Sequence, residues 1–367
     1  MKFVCNKNNL LKEFGIAQEI VLTKNALSIL SNIYLETSDN FLIIKSTDVK
    51  INFVTKVPVN VIEEGKLTIK GDILLGILNS IPDGEIEFFS SDTNMVVKPA
   101  FKKTEFKIKS TSTDQYPQFP SSDNAYFFEL PVKDFKEMIT QTIFSVSDDE
   151  SRIFMNGIFF EKSDNILRMV STDGRRLAYS QKVVDDSIKE INSIIIPEKI
   201  LNVFLKRAGE EGNVSIGLTD KNIFINFGSY GLSSVLIDGQ FPNYKKVIPE
   251  DQKYTFTLKR KDMLDALKRV ALMVEKNSKR AYFHLTQDKL VLYTEENELG
   301  ALNEEMDCTY GGEEITFALN FHFVEDPLKI MDKDDVAIQF KEPNKAITIK
   351  TFPDSDYFFV VMPMQID

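Results

Sequence analysis

Apolar and polar positions along the chain follow two periods in turn. Apolar residues at helical spacing open three segments: Leu10-Leu11-Lys12-Glu13-Phe14, Phe135-Lys136-Glu137-Met138-Ile139 and Met263-Leu264-Asp265-Ala266-Leu267. Each predicts a helix with one buried face. An apolar, alternating stretch follows each helix, over Ile33 to Thr37, Gly157 to Glu161 and Ala281 to Thr286, and predicts a strand. A polar turn and a second strand come next, in SDNFLIIKST, SDNILRMVST and TQDKLVLYTE. The match recurs at steps of roughly 125 residues, too long for a solenoid repeat and long enough for separate domains.

The second half of each segment repeats as well. A strand runs into a short helix in KLTIKGDILLGILNSI, SIIIPEKILNVFLKRA and EITFALNFHFVEDPLKIM. Strand pairs follow in GEIEFFSSDTNMVVKP, NVSIGLTDKNIFINFG and DVAIQFKEPNKAITIK, with turn chemistry supplied at Asp83-Gly84, Gly212-Asn213 and Pro343-Asn344. Two joins resemble each other, DQYPQFP at Asp114 to Pro120 and DGQFPNY at Asp238 to Tyr244. The expected architecture is α+β: three tandem similar domains, 1–126, 127–252 and 253–367, each with two helices packed on antiparallel sheets.

Composition narrows the class. Of 367 residues, 43% are hydrophobic and 27% charged, the balance of a globular protein. The amino-terminal stretch MKFVCNKNNLLKEF has no apolar signal core, and no run is long enough for a membrane span. The two cysteines, Cys5 and Cys308, permit one bridge and no disulfide framework. A cytoplasmic protein without membrane contact is expected. The net charge of −11 argues against a phosphate-binding surface, but the charge is segregated. Glu295 to Asp307 carries six acids and no base, whereas Lys261 and Lys268, and then Lys199, Lys206 and Arg207, share polar helix faces.

Catalytic chemistry is hard to place. His284 and His322 sit in apolar surroundings, as satisfied structural histidines do, and no zinc spacing, phosphate loop, dinucleotide fingerprint or nucleophile turn appears. Asp173 with Arg175 and Arg176 is the nearest thing to a reactive cluster, and it lacks a second acid. Neither enzymatic activity, nor a metal, nor a cofactor is expected. The closing stretch FVVMPM, Phe359 to Met364, reads either as the end of a core strand or as a strand running out into an adaptable apolar surface.

Four separated motifs, FMNGIFFE (154–161), VSTDGRRLA (170–178), LIDGQFPNYKKVIP (236–249) and FVVMPM, laid on the threefold repeat, resemble the bacterial DNA sliding clamps, the beta subunit of DNA polymerase III. The resemblance spans the whole chain. It implies a processivity factor: a homodimer closed head to tail into a ring around double-stranded DNA, with helices lining the hole. It also implies a groove between the second and third domains for short peptides of the DNA polymerase III alpha subunit, the clamp loader, other DNA polymerases and repair proteins. Matching groove positions are Met155, Thr172, Gly174, Arg175, Arg176 and Leu177, then Pro242 and Val247, then Asn320, Phe323, Val361, Met362, Pro363 and Met364. Positions that match DNA-facing ones are Lys24, Arg152, Lys199 and Lys206; those that match the dimer interface are Phe106, Ile108, Leu272 and Met273. Arg175 stands where the family often has histidine, and Phe323 where it has tyrosine. A peptide-binding scaffold independent of DNA is the other reading that a groove alone permits.

Overall fold

The computed structural model describes residues 1–21, 28–101, 103–275 and 277–366. The first repeat runs β1 (Lys2–Asn6), α1 (Lys7–Ile20), β2 (Asn32–Ser38), β3 (Phe41–Thr47), β4 (Ile51–Pro58), β5 (Asn60–Glu63), β6 (Gly65–Lys70), α2 (Gly71–Ser80), β7 (Glu85–Ser91), β8 (Asn94–Pro99) and β9 (Phe106–Thr111). The second runs β10 (Tyr126–Pro131), α3 (Val132–Thr142), β11 (Gly157–Ser163), β12 (Ile166–Thr172), β13 (Arg176–Val183), β14 (Ile191–Pro197), α4 (Glu198–Arg207), β15 (Asn213–Leu218), β16 (Asn222–Phe227) and β17 (Tyr230–Val235). The third runs β18 (Tyr254–Lys259), α5 (Arg260–Met273), β19 (Arg280–Thr286), β20 (Lys289–Tyr293), β21 (Asn303–Asp307), β22 (Ile315–Asn320), α6 (Phe321–Ile330), β23 (Asp335–Phe340), β24 (Ile347–Phe352) and β25 (Tyr357–Val361).

Every repeat therefore opens on a strand placed before its first helix, where the apolar pattern starts the repeat at the helix itself. The signal is short: β1 buries only Phe3 and Cys5, two positions of alternation before helical spacing takes over.

The chain packs as two compact units, Met1–Lys133 with Lys199–Leu236, and Asp134–Glu198 with Ile237–Asp367. The first holds a thirteen-stranded sheet in the order β10-β15-β16-β17-β4-β3-β2-β6-β9-β8-β7-β1-β5. Its central joint sets β17 antiparallel to β4, with Leu232 opposite Phe53. Both residues are buried, and the Asn52 amide donates to Ser233 Oγ at 3.1 Å beside them. Phe3 stacks on Phe88 at 4.7 Å, and Phe204 meets Phe227 edge-on at 4.9 Å.

The second unit holds an eight-stranded sheet, β14-β11-β12-β13-β25-β24-β23-β18, and a four-stranded one, β21-β20-β19-β22. Its joint repeats the first: β13 runs antiparallel to β25, with Ala178 opposite Phe359. Ala178 and Phe359 pack in one core with Phe256, Phe283, Phe317 and Phe340, where aliphatic and aromatic side chains point inward at alternate positions of the strands. Cys5 and Cys308 are buried free thiols, so the bridge that the composition permits is not formed. Burial pushes the Cys5 thiol up to about 12 and the Cys308 thiol up to about 11.

Phe359 is 1% exposed and Val183, on neighbouring β13, 75% exposed. Phe359→Ala should destabilise the second unit by about 3–5 kcal/mol, the range for an emptied aromatic core site. Val183→Ala should stay within about 0.5 kcal/mol. Urea titration followed by tyrosine fluorescence measures both; equal midpoints for the two variants would place the core elsewhere.

Candidate functional site

The turn between β12 and β13 is built by side chains that cap its own backbone. Gly174 N–H donates to Thr172 Oγ1 at 3.0 Å, and the Thr172 hydroxyl donates to the Arg176 carbonyl at 2.6 Å. Asp173 Oδ1 accepts from the Arg175 and Arg176 amides at 2.9 and 3.0 Å. Gly174 has φ +88°, a conformation open to glycine at little cost. The sequence T-D-G thus folds locally into a tight turn that holds two arginines at fixed places.

Those arginines face different tasks. The Arg176 guanidinium donates to Asp173 Oδ2 at 3.0 Å, to Asp326 Oδ2 at 2.8 Å and to the Phe144 carbonyl at 2.6 Å. It also lies 4.7 Å from the centroid of the Phe323 ring, a stacking that needs no hydroxyl. Arg175 is exposed and has no ion pair among the described residues. Its carbonyl accepts from the Met362 amide at 2.9 Å, which ties the end of β25 to the turn.

Opposite the turn, the segment Phe241 to Val247 lays aromatic rings on β11 and β13. Phe159 meets Phe241 at 5.0 Å and Tyr244 at 5.5 Å, and Tyr179 meets Tyr244 at 6.1 Å. The Tyr244 hydroxyl donates to Glu161 Oε1 at 2.7 Å. Burial first, then the Glu161 carboxylate, pushes this phenol well above its usual range, so it remains a neutral donor.

Between turn and connector lies an open groove of about 320 Å³. Nine of the positions expected there line it: Met155, Thr172, Gly174, Arg175, Arg176, Leu177, Pro242, Val247 and Met362. Asn243, Tyr244 and Val360 also line it and were not singled out from the sequence. Val361 does not: it is 1% exposed and packs into the core with Phe359. Side chains alternate along a strand, so the wall residue on β25 is Val360, one position earlier. Asn320 caps α6, its Oδ1 accepting from the His322 amide at 3.1 Å, and Phe323 backs Arg176. Met364 donates its amide to the Ala318 carbonyl at 2.8 Å, which places it and Pro363 past the lining. Strand period and the Y-K-K-V run could have marked Val360 and Tyr244.

None of the positions expected near DNA is among the residues that line the groove. Lys24 falls outside the described residues. In the first unit Lys199 Nζ lies 2.6 Å from Asp48 Oδ2, and Lys206 Nζ 3.2 Å from Glu19 Oε2, beside Arg207. In the second, Arg152 Nε pairs with Asp149 Oδ2 at 2.8 Å. Of the expected interface residues, Leu272 is 72% exposed and Ile108 5% exposed; Phe106 and Met273 are half-buried. His322, Glu325 and Asp326 form the trio with metal-ligand spacing among the described residues. Lys329 at 2.9 Å from Glu325, and Arg176 on Asp326, already balance its carboxylates. His284 Nδ1 is satisfied by Thr316 Oγ1 at 2.8 Å. No described helix is long and apolar enough to cross a membrane.

Comparison with known proteins gives one consistent answer. The profiles of the DNA polymerase III beta subunit match along the chain: N-terminal domain at residues 1–120, central domain at 129–243 and C-terminal domain at 245–365. The beta sliding clamp of Treponema pallidum is 38% identical over the full length of both chains, and that of Rickettsia bellii 28% identical over the full length of both. Among solved structures, the sliding clamp of Pseudomonas aeruginosa bound to griselimycin superposes with a TM-score of 0.94 at 23% identity, covering all of both chains. The Bacillus subtilis clamp gives 0.94 at 21% with the same coverage. At these identities the structures speak for the fold.

Tyr244→Phe should cost about 1.5–3 kcal/mol at neutral pH, the net worth of a hydrogen bond to a charged group. The folded phenol ionises above the unfolded value of about 10, so its contribution is full below that pH and declines as pH rises through and beyond it. Urea titrations between pH about 9 and about 11 should show a shallower alkaline loss in the variant than in the wild type. Parallel curves would remove the Tyr244–Glu161 bond from this account.

Proposed function

The chain belongs to the DNA polymerase III beta subunit family, and from that premise we propose that two copies close head to tail into a ring that encircles duplex DNA as a sliding clamp. It serves replication as a processivity factor, not as an enzyme. The observation that carries the ring is a pairing rule within each unit. The last strand of the second repeat, β17, completes the sheet of β4, and the last strand of the third, β25, completes the sheet of β13. By the same rule β9, the last strand of the first repeat, should complete the sheet that ends in β21. Phe106–Lys109 of β9 pair on one side only, with β8, and β21 pairs only with β20 among the described residues.

A β9-to-β21 contact between two copies is heterologous, and with two chains of three repeats it closes after six repeats. Charge favours it. Lys107 and Lys109 project along β9, and Glu304, Glu305 and Asp307 along β21. Phe106, Leu272 and Met273 supply the apolar contact; Ile108 is turned into its own sheet and supports β9 from behind.

Enclosure holds DNA without many phosphate contacts, so the acidic total is no obstacle. Lys199, Lys206 and Arg152 meet phosphates by exchanging carboxylate partners in exposed ion pairs, which are individually weak. Lys24 joins them in this reading, in the cytoplasm. The groove receives short peptides of the DNA polymerase III alpha subunit, the clamp loader, other polymerases and repair proteins. Its apolar wall and Met362 accept varied side chains, and the unpaired Arg175 favours partners with a carboxylate nearby. A scaffold independent of DNA is not favoured, because it leaves the family and the open sheet edges without a purpose.

Met362→Asp changes a residue 46% exposed, so folding should persist. Affinity for a clamp-binding peptide from the alpha subunit should fall roughly tenfold or more in fluorescence polarisation, since a carboxylate is set in an apolar wall. Unchanged affinity would move the peptide site off this groove.

Loaded on closed circular DNA by a clamp loader that binds it, the protein should stay through gel filtration and be lost when the circle is cut once. Leu272→Asp should give monomers by light scattering and no retention. Retention on linear DNA, or a dimeric Leu272→Asp, would overturn the ring.

A further inference from the structure

The two similar joins of the sequence lie in similar surroundings. In the second unit Phe159, Val170 and Tyr179 stand opposite one another on β11, β12 and β13 and form the floor beneath the connector. In the first unit Tyr34, Lys45 and Val54 hold the same registers on β2, β3 and β4. The ring contact repeats too: Phe159 meets Phe241 at 5.0 Å, and Tyr34 meets Tyr116 at 5.4 Å. Tyr116-Pro117-Gln118-Phe119 therefore occupies the place of Phe241-Pro242-Asn243-Tyr244. Its anchor is the Tyr116 hydroxyl, which donates to the Lys45 carbonyl at 3.2 Å.

The two floors differ in cover and in charge. Tyr244 lies over Phe159 and Tyr179 in the second unit, whereas Phe119 leaves a recess of about 510 Å³ beside Tyr34 and Val54 in the first. Lysine replaces valine in the middle of the floor. Lys45 lies 4.8 Å from the Tyr34 ring centroid and shares Glu36 at 3.7 Å. Lys66, also lining the recess, is exposed and has no ion pair among the described residues; with Lys45 it outweighs Asp114, the one carboxylate of the lining. A surface with an aromatic and aliphatic floor and an uncommitted cation at its edge is complementary to an extended segment that carries an aromatic side chain next to a carboxylate.

We propose that this recess in the first repeat is a second peptide-docking site, quasi-equivalent to the groove and selective for acidic-aromatic segments of partner proteins. It goes beyond the ring and groove assignments and does not depend on the groove being occupied. The main-chain shape comes from the repeated join, and the charge preference comes from Lys45 and Lys66.

The test uses the full chain and a fluorescein-labelled peptide alternating phenylalanine and glutamate, with binding read by fluorescence polarisation. Met362→Asp is the background, so that the groove is blocked. Saturable binding, weakened roughly tenfold by Lys66→Glu as expected for turning an attraction into a repulsion, supports the proposal. Lys66 is exposed, so the substitution leaves the fold intact, which circular dichroism checks. Loss of all binding in the Met362→Asp background would overturn it, because the peptide would then be a ligand of the groove alone. Indifference to Lys66→Glu, no saturation at millimolar protein, or preference for oligothymidylate over the peptide would each overturn it as well; the last would make the recess a nucleic-acid contact.

Discussion

A β-sheet that stops leaves a row of unpaired amides and carbonyls, and this molecule is organised by where those rows end. Within the first unit β17 saturates the edge of β4; within the second β25 saturates the edge of β13. Each joint is antiparallel, is sealed by a buried aromatic facing a small or branched residue, and uses the last strand of one repeat to finish the sheet of the repeat before. One rule applied twice leaves β9 and β21 as the open pair. In the proposed ring, closure between copies is the third use of a contact the chain already makes.

The groove is a consequence of the same joint. Because β25 must pair with β13, the segment after it leaves the sheet next to the β12–β13 turn, and the Met362 amide is caught by the Arg175 carbonyl. The apolar wall is thus tied to backbone hydrogen bonds, while Met362 itself stays adaptable. Adjacent arginines separate at this point. Arg176 is spent on Asp173, Asp326, Phe144 and the Phe323 ring and serves as a brace; Arg175 is left for solvent or a partner.

Charge is arranged for loose contact. The cations expected near phosphate, Lys199, Lys206 and Arg152, sit in exposed ion pairs with Asp48, Glu19 and Asp149. Such pairs exchange partners at little cost, since solvent and salt screen both arrangements. If phosphates replace these carboxylates, as proposed, the contact has no preferred register along a duplex, which suits a ring that slides.

The helices and most strands, the threefold repeat and the α+β class follow from apolar period and turn residues, because burial of one face is written locally at 3.6 or 2 residues. The groove positions came from the family resemblance; what is local there is the tight turn of T-D-G, whose backbone geometry needs those residue types. The pattern missed β1, β10 and β18, whose few alternating residues end where a helix begins. It also could not choose between Val360 and Val361, which are chemically alike and differ only in which face of β25 they take. Nor could it distinguish Arg175 from Arg176, since only the fold brings Asp326 and Phe323 to one of them. Sequence by itself determined what each segment is; the tertiary structure decided which strand edges meet and which side chains remain free, because pairing across more than a hundred residues leaves no periodic trace in the chain.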